Sequence, residues 1–346
     1  MSCFSLKNNI SFKNFYDKLK ESYILSNKIN FKIDKSPEYL NRDKIGSYYI
    51  PNNILNFINS SKGTLYKIDT KILERQIKIK IIDYKNLSRE KIAQFVKMIL
   101  FLIKFLSLYA SSNCSKKINI TIYLTSFKKL LNNKKILGVN EVNSGYSTCG
   151  CYNTTEIVIY RQEEWFKVLI HELFHNLNLD FCDKNIDNSK KYLREYFNIN
   201  AKFNIYEAYC ETSARFVNVL LFSFLNNFKM VNYKQFKENF KDAFQKEVIN
   251  SLEKARLVIT LIKNVKNYQE DSNVFDYYVI TASLLNNYYY YLKFIKYDFN
   301  FIKTDKNIED FTYLIKNSFN DKFFEALNCV GINKSNSLKM TITNIF

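Results

Sequence analysis

Histidine, proline and glycine are scarce in this chain of 346 residues, which contains two histidines, two prolines and six glycines. Their scarcity excludes collagen-like and low-complexity chains, which need proline and glycine in abundance. Hydrophobic residues make up 47% of the sequence, a share that predicts a folded globular protein with a large core. Lysine, asparagine, isoleucine, tyrosine and phenylalanine are abundant instead, as expected of a coding sequence rich in A and T.

Long apolar runs are also missing. The most lipid-like stretch, Met98–Ile103, has six uncharged residues between Lys97 and Lys104, too few to span a bilayer. The segment Met1–Lys20 contains no apolar core, so no secretory signal is predicted. We therefore expect no membrane span and an intracellular, cytoplasmic location.

The chain has no C-x-x-C pair. Its seven cysteines are odd in number and irregularly spaced, at positions 3, 114, 149, 151, 182, 210 and 329. This pattern predicts neither a zinc ribbon nor a disulfide framework. The cysteines are therefore expected to be reduced, as is usual inside cells.

Acidic residues are fewer than basic ones: 33 Asp and Glu against 51 Lys and Arg give a net charge of +18. Such a charge attracts polyanions without any dedicated motif, so non-specific contact with polyanions is expected. The lysines are scattered along the chain and form no basic tract, which argues against specific nucleic-acid recognition. A basic nucleic-acid-associated protein remains an alternative, and a flat salt dependence of partner binding would argue against it.

Apolar periodicity predicts a mixed region followed by a helical one. The mixed region has predicted strands at Arg75–Tyr84, Ile118–Thr125 and Glu156–Tyr160, and predicted helices at Ser88–Ser111 and Gln162–Leu177. The helical regions are Asn204–Phe228, Tyr233–Lys263 with a break near Glu247, Phe275–Lys296 and Asn307–Val330. The predicted fold class is α+β: a small mixed sheet with two helices in residues 61–185, then a helical lobe in residues 186–346. Residues 1–60 form an N-terminal segment without an assigned role.

Both histidines stand in one motif, His171-Glu172-Leu173-Phe174-His175, near the end of a predicted helix. At about 100° per residue, His171 and His175 project from the same face, one turn apart. Two such imidazoles can bind one Zn²⁺, and Glu172 on the flank of that face can act as a general base toward water. Because the chain has no other histidine, a zinc site with His171 and His175 as ligands is predicted.

This motif, on a helix that follows strand, helix, strand and strand, resembles the N-terminal lobe of zinc metallopeptidases of the zincin class. The resemblance implies a hydrolase that cleaves a peptide or protein substrate, with Zn²⁺ as cofactor and Glu172 as catalytic base. It also implies that an edge strand of the sheet pairs with extended substrate. The segment Asn143–Asn153 is the natural place for that edge, and the alternative is an ordinary surface connection.

A catalytic zinc site needs a third protein ligand. The metzincin pattern of a glycine and a third histidine after the motif is excluded, because Asn178 and Phe181 occupy those positions. The downstream candidates are Asp180, Asp183, Glu207 and Glu211. The i, i+4 spacing of the two glutamates resembles the gluzincins, which implies Glu207 as the metal ligand and Glu211 as the partner of a ligand histidine. The reverse order of the two glutamates stays open.

Other side chains have two interpretations each. A tyrosine of the run Tyr288–Tyr291 is a candidate for stabilising an oxyanion, although most tyrosines of this chain must serve packing. Arg215 either binds a substrate carboxylate or is ion-paired. Cys149 and Cys151 either contact the metal as inhibitory ligands or pack as small hydrophobic side chains.

The stretch from Ile159 to His175 looks like that of uncharacterised metallopeptidases of giant, nucleocytoplasmic large DNA viruses. This resemblance implies a viral protein, located in the host cytoplasm or in the virion. The main alternative is a zincin fold that has lost peptidase activity and serves as a structural or virion-associated protein. The intact Glu172 favours an active enzyme, since a structural zinc site needs no general base.

Overall fold

A computed structural model describes residues 11–41, 45, 47–131, 136–265, 268–331 and 336–346 of the chain. The chain divides into two compact units: a sheet unit of residues 17–128 and 143–179, and a helical unit of residues 1–16, 129–142 and 180–346. The predicted α+β class, with a sheet followed by a mainly helical part, is confirmed. Residues 1–10, and Cys3 with them, lie outside the described residues.

The elements are numbered here in chain order. The strands in the described ranges are β1 (Asp34–Leu40), β2 (Lys62–Ile72), β3 (Arg75–Asp83), β4 (Lys117–Leu124), β5 (Gly145–Ser147), β6 (Thr154–Ile159), β7 (Leu225–Asn226) and β8 (Lys229–Met230). The α-helices in those ranges are α1 (Lys13–Ser26), α2 (Asn52–Ser60), α3 (Arg89–Leu106), α4 (Val139–Val142), α5 (Trp165–Asn176), α6 (Asp187–Phe197), α7 (Ile205–Phe224), α8 (Tyr233–Lys263), α9 (Thr281–Asn286), α10 (Tyr288–Phe294), α11 (Asp305–Ser318) and α12 (Asp321–Cys329). A 3₁₀ turn occupies Ser47–Tyr49, and a π-helix occupies Phe275–Ile280.

The sheet unit contains a six-stranded mixed sheet with the order β1-β2-β3-β4-β6-β5. Strands β3, β4 and β6 are parallel, whereas β1, β2 and β5 pair antiparallel with their neighbours. The strands predicted at Arg75–Tyr84, Ile118–Thr125 and Glu156–Tyr160 are confirmed as β3, β4 and β6. Strand β5 is the last in the order and lies within Asn143–Asn153, the segment predicted to carry the edge.

The two helices predicted for the sheet are α3 and α5. Parallel neighbours such as β3 and β4 need a long crossover, and α3 supplies it. The Ser88 hydroxyl caps this helix by accepting the backbone N–H of Lys91 at 3.2 Å, as the sequence predicts. The rings of Phe95 in α3 and Trp165 in α5 lie 4.9 Å apart between centroids, so the two helices pack against each other.

Residues of the N-terminal segment cover part of the sheet. Ile54 and Ile58 of α2 belong to one buried cluster with Leu65 of β2, Ile82 of β3 and Val158 of β6. Burial of such side chains is the main source of stability in a core. Strand β1 extends the sheet by pairing antiparallel with β2. The part of the N-terminal segment that contains β1 and α2 thus belongs to the sheet unit.

Helix α8 of the helical unit is continuous, so the predicted break near Glu247 is wrong. Glu247 is fully buried, and its carboxylate accepts hydrogen bonds from the Thr341 and Thr343 hydroxyls at 2.9 and 3.2 Å. The backbone N–H of Ile342 donates a third bond at 3.0 Å. The C-terminal segment therefore supplies three donors to Oε2 of this buried acid, which interrupts the apolar pattern of the sequence.

The next two helical regions are divided more finely than predicted. The region Phe275–Lys296 contains the π-helix, α9 and α10, and the region Asn307–Val330 contains α11 and α12. The second division has a clear cause, because the Asn320 side chain accepts the backbone N–H of Phe323 at 3.1 Å and begins a new helix. Within the described ranges, no helix is long and apolar enough to cross a bilayer.

Five of the six cysteines that the structure describes are disulfide-bonded, so the predicted reduced state is wrong. Cys114 is bonded to Cys151. The other bonded residues are Cys149, Cys182 and Cys329, whereas Cys210 is a buried thiol that forms no disulfide. Pairing depends on proximity in the fold, which irregular spacing in sequence does not encode. Neither role predicted for Cys149 and Cys151 holds, and the cysteines no longer support an intracellular location, since disulfides persist mainly in oxidising environments.

Removal of the Cys114–Cys151 disulfide is expected to destabilise the sheet unit. The bond closes a loop with a sequence separation of 37 and joins the segment before β4 to the β5–β6 connection. Removal of a disulfide that closes a loop of this size typically lowers the free energy of unfolding of the protein by about 2–4 kcal/mol. Urea denaturation of the Cys114→Ala/Cys151→Ala variant, without reductant, measures the loss. Cys210→Ala is the control for removal of a thiol outside any disulfide, and an unchanged unfolding free energy in the double variant would contradict the expectation.

Candidate metal centre

Helix α5 carries the motif and is buried along its whole length. Leu169, Ile170 and Leu173 are fully buried. His171, Glu172 and His175 each retain only 6% of their exposure, which excludes the alternative that the motif lies on a solvated face. Buried polar side chains need partners, so the arrangement around these three residues decides what the motif can do.

The two imidazoles converge as the helical spacing predicts. The Nε2 atoms of His171 and His175 lie 3.2 Å apart, and the ring centroids are separated by 4.9 Å. Two nitrogens bound to one tetrahedral zinc at 2.0–2.1 Å would lie about 3.3 Å from each other. An N–H···N hydrogen bond between the rings is the other arrangement that this distance allows. The donor set and its spacing therefore fit a zinc ion.

The end of α5 is fixed by polar contacts to the sheet. The Thr155 hydroxyl donates to the Asn176 side-chain oxygen at 3.0 Å, and the Asn176 amide donates to the Glu156 carbonyl at 3.3 Å. The Ser115 hydroxyl also donates to the Asn176 backbone carbonyl. Asn178, just after the helix, then adopts a left-handed φ of 56°, a conformation that asparagine tolerates and that commonly ends a helix. These contacts hold the histidine-bearing turn in register with the sheet.

Strand β5 runs next to Glu172. The Ser147 hydroxyl donates a hydrogen bond to Glu172 Oε2 at 2.7 Å. A Cβ atom at Gly145 would lie 3.3 Å from Glu172 Oε1, 3.0 Å from Val168 Cγ1 and 2.9 Å from the Val158 carbonyl oxygen. Only glycine at position 145 leaves room for the close approach of β5 to the Glu172 side chain.

The sequence alone does not single out Gly145 or Ser147 as residues of the site. Both residues lie in the segment expected to form the edge strand. They are two positions apart, so they lie on the same face of that strand. This spacing does not tell which face is turned toward α5. The pairing of β5 with β6 and the packing of α5 on both strands decide it.

Glu207 lies in the first turn of α7, in the helical unit. Its side chain is partly buried, and the Tyr277 hydroxyl donates to Glu207 Oε2 at 3.1 Å. An acidic residue in the first turn also interacts favourably with the helix dipole. The Glu207 carboxylate is therefore oriented by a hydrogen bond, and carboxylates are common ligands of zinc.

Glu211, one turn further along α7, has a different environment. The guanidinium of Arg215 donates to Glu211 Oε1 at 2.9 Å, with both side chains almost completely buried. Arg215 is thus ion-paired, which was one of its two predicted interpretations. A buried arginine next to Glu211 also explains how two glutamates can share this helix one turn apart. The role of Glu211 as partner of a ligand histidine stays a prediction.

The two aspartates have partners within the helical unit. Asp180 is fully buried, and the Cys210 thiol donates to Asp180 Oδ2 at 3.4 Å. The ammonium of Lys303 lies 3.5 Å from Asp183 Oδ1 in a partly exposed ion pair. Both aspartates thus take part in contacts that need no metal ion.

The tyrosine run Tyr288–Tyr291 lies on α10. Tyr288 and Tyr291 are buried, and the hydroxyls of Tyr291 and Ser213 share a hydrogen bond of 2.5 Å. Tyr290 is 53% exposed. The two buried rings serve packing, as expected of most tyrosines in this chain, and no oxyanion role is assigned to any of the four.

Asp276, on the π-helix, is a buried acid with a shifted pKa. The pKa of its carboxyl is raised well above the ordinary value because burial disfavours the charge, and Glu270 and Glu207 add negative potential. The backbone N–H of Asn204 at 3.0 Å and the charge of Lys190 act in the opposite direction. Burial outweighs them, so Asp276 holds a proton to higher pH than an ordinary aspartate.

Replacement of Asp276 by asparagine is expected to stabilise the protein at alkaline pH. The folded-state pKa is raised, so the stabilisation is full below the unfolded pKa of about 3.9 and is lost as the pH rises through the folded pKa. Asparagine keeps an acceptor for the Asn204 N–H but carries no charge. The melting temperature at pH 8 should rise by about 2–4 °C, the shift produced by roughly 1 kcal/mol, with little change at pH 4.

Asp271→Asn is the matched control for this prediction, since Asp271 is an exposed acid five residues before Asp276 in sequence. Its melting temperature should follow that of the wild type at both pH values. A melting temperature of Asp276→Asn below that of the wild type at pH 8 would show that the charged form of Asp276 stabilises the fold.

Neither the family models nor the curated proteins compared with this sequence gave a match. The residues of the site therefore carry the functional proposal by themselves.

Proposed function

We propose that this protein is a zinc-dependent metallopeptidase of the zincin type, with His171, His175 and Glu207 holding the metal and Glu172 acting as general base. The observation that carries the proposal is the pair of histidine Nε2 atoms 3.2 Å apart, next to a carboxylate held against an edge strand. A bound zinc ion would supply Lewis-acid chemistry, polarising a scissile carbonyl and lowering the pKa of water.

The part played by Glu172 follows from its position beside the two histidines. One carboxylate oxygen, Oε2, accepts the Ser147 hydroxyl, and this bond fixes the rotamer of the side chain. An ionised carboxylate in this position can take a proton from the attacking water and pass it to the leaving amine. A structural zinc site would have no use for a general base, so the held Glu172 supports catalysis over a purely structural role.

The substrate we propose is an extended peptide that pairs with β5. This strand is the last of the described sheet, with β6 on one side, and the backbone of an edge strand can pair with an added strand. Gly145 and Ser147 reach Glu172 from the same short strand. A peptide that pairs with β5 would therefore be guided by the element that holds the general base.

The proposal of Glu207 as third ligand rests on the gluzincin-like spacing and on the environments of the acidic candidates. Glu211 is paired with the buried Arg215, and Asp183 is paired with Lys303. The bond that Glu207 Oε2 accepts at 3.1 Å comes from the neutral phenol of Tyr277. The gluzincin-like spacing and these two ion pairs thus favour Glu207 over Glu211 and Asp183.

Zinc-dependent hydrolysis of a peptide library tests the proposal. The protein, loaded with one equivalent of zinc, would be incubated with a degenerate peptide mixture, and new termini would be identified by mass spectrometry. We expect cleavage that a chelator abolishes and added zinc restores. Zinc binding without cleavage of any peptide would favour the structural or virion-associated alternative, and zinc-independent cleavage would contradict the mechanism.

A further inference from the structure

A chain of hydrogen bonds leads from the start of α7 to Glu207 by way of the π-helix. The Asn204 side-chain amide donates to Asn273 Oδ1 at 2.8 Å, and the Asn273 amide donates to the Tyr277 hydroxyl at 3.5 Å. The Tyr277 hydroxyl in turn donates to Glu207 Oε2 at 3.1 Å. Each donor points toward the carboxylate, and aligned hydrogen bonds of this kind strengthen one another.

The direction of this chain follows from the chemistry of its members. The Asn273 oxygen accepts from Asn204, so its amide nitrogen faces Tyr277. A phenol that accepts a bond from an amide has its own proton left to donate, and Glu207 is the acceptor within reach. The Tyr277 hydroxyl is thereby set as a donor to Glu207.

The backbone around Tyr277 is held as well. The guanidinium of Arg215 donates to the Tyr277 carbonyl at 3.5 Å, and Asp276 Oδ2 accepts the Asn204 backbone N–H at 3.0 Å. Both contacts join the π-helix to α7. Single π-helical turns are rare and occur often at functional sites, where they bring side chains to positions that an α-helix would not offer.

From this geometry we infer that Tyr277 is the positioning residue of the third metal ligand, an inference that rests on the proposed function. The hydrogen bond from the phenol to Oε2 fixes the orientation of the Glu207 carboxylate. Partners of this kind set the orientation of a ligand before the metal arrives and thereby raise metal affinity. Tyr277 acts through Glu207 and does not itself bind the metal or the substrate.

Zinc affinity measured by competition with a fluorescent chelator tests this inference on the full-length protein. Tyr277→Phe removes the hydroxyl and keeps the ring, and we expect the dissociation constant for zinc to rise about 10-fold or more. Tyr278→Phe is the matched control: it removes a neighbouring phenol hydroxyl of the same π-helix, which donates to the Leu338 carbonyl at 2.7 Å. Its zinc affinity should equal that of the wild type even if its melting temperature falls.

A double-mutant cycle with Glu207→Gln separates positioning from a general structural role. If Tyr277 acts through Glu207, then Tyr277→Phe should have no further effect on zinc affinity in the Glu207→Gln background. Additive effects, or a wild-type affinity in Tyr277→Phe, would overturn the inference while the proposed function stands. A wild-type protein that binds no zinc would overturn both, and an unchanged affinity in Glu207→Gln would overturn the choice of third ligand and the role of Tyr277 with it.

Discussion

Replacement of Glu172 by glutamine is expected to lower kcat/KM for peptide hydrolysis by about 10³-fold, within the range of 10²–10⁴ that general-base catalysis contributes. The change is nearly isosteric, and the amide can still accept the Ser147 hydroxyl. What is lost is the ability to take a proton from water. Zinc content should therefore remain that of the wild type, so that the lost rate is assigned to proton transfer and not to loss of the metal.

The matched control is Glu163→Gln, the same substitution at a partly buried glutamate that precedes α5. Its activity should stay within about twofold of the wild type, since Glu163 stands outside the motif and small surface effects are the norm. Wild-type activity in Glu172→Gln would contradict the assignment of Glu172 as general base.

Replacement of Arg215 by methionine is expected to lower the free energy of unfolding more than any other single substitution proposed for this protein. Arg215 and Glu211 form an ion pair in which the side chains are 0% and 2% exposed. Arg215→Met would leave the charge of Glu211 buried without this partner, at a cost of about 3–5 kcal/mol in the free energy of unfolding. The lost bond from Arg215 to the Ser251 hydroxyl, 2.8 Å long, acts in the same direction. Urea denaturation followed by circular dichroism measures the change.

Two comparisons show whether burial of the ion pair causes the loss of stability expected for Arg215→Met. Lys246 and Asp242 form an ion pair with the same i, i+4 spacing on α8, but with side chains 62% and 68% exposed. Lys246→Met should cost less than about 1 kcal/mol. The double variant Glu211→Gln/Arg215→Met should be more stable than Arg215→Met alone, because the charge of Glu211 is no longer left buried without Arg215. A loss in Arg215→Met no greater than that in Lys246→Met would contradict this account of the pair.

The elements that could be predicted from the sequence are those with a strong local pattern of apolar residues. Strand β3 alternates Ile77, Ile79 and Ile81, and α3 combines a serine cap with a long apolar face. Strand β1 was not predicted, because it is exposed at nearly every position, has no alternating apolar pattern and contains Pro37. Its pairing with β2 defines it as a strand, and a partner distant in sequence leaves no local signal.

The motif residues were predictable because a helix fixes the geometry of positions four residues apart. The spacing places both imidazoles on one face of α5, and their rotamers bring the Nε2 atoms to 3.2 Å from each other. The contacts of Ser147 with Glu172 and of Tyr277 with Glu207 join residues separated by 25 and 70 positions in sequence. Only tertiary packing brings such residues together, as it does for the cysteines of the disulfides.

Metal content measured by plasma mass spectrometry decides whether His171 and His175 bind zinc. After loading and extensive dialysis, the wild type should retain about one zinc per chain, and His175→Ala should retain almost none. Glu207→Gln should lose zinc at chelator concentrations that the wild type withstands. Wild-type protein without zinc after loading would mean that the two imidazoles form only a hydrogen bond with each other, and the proposal of a metallopeptidase would fail.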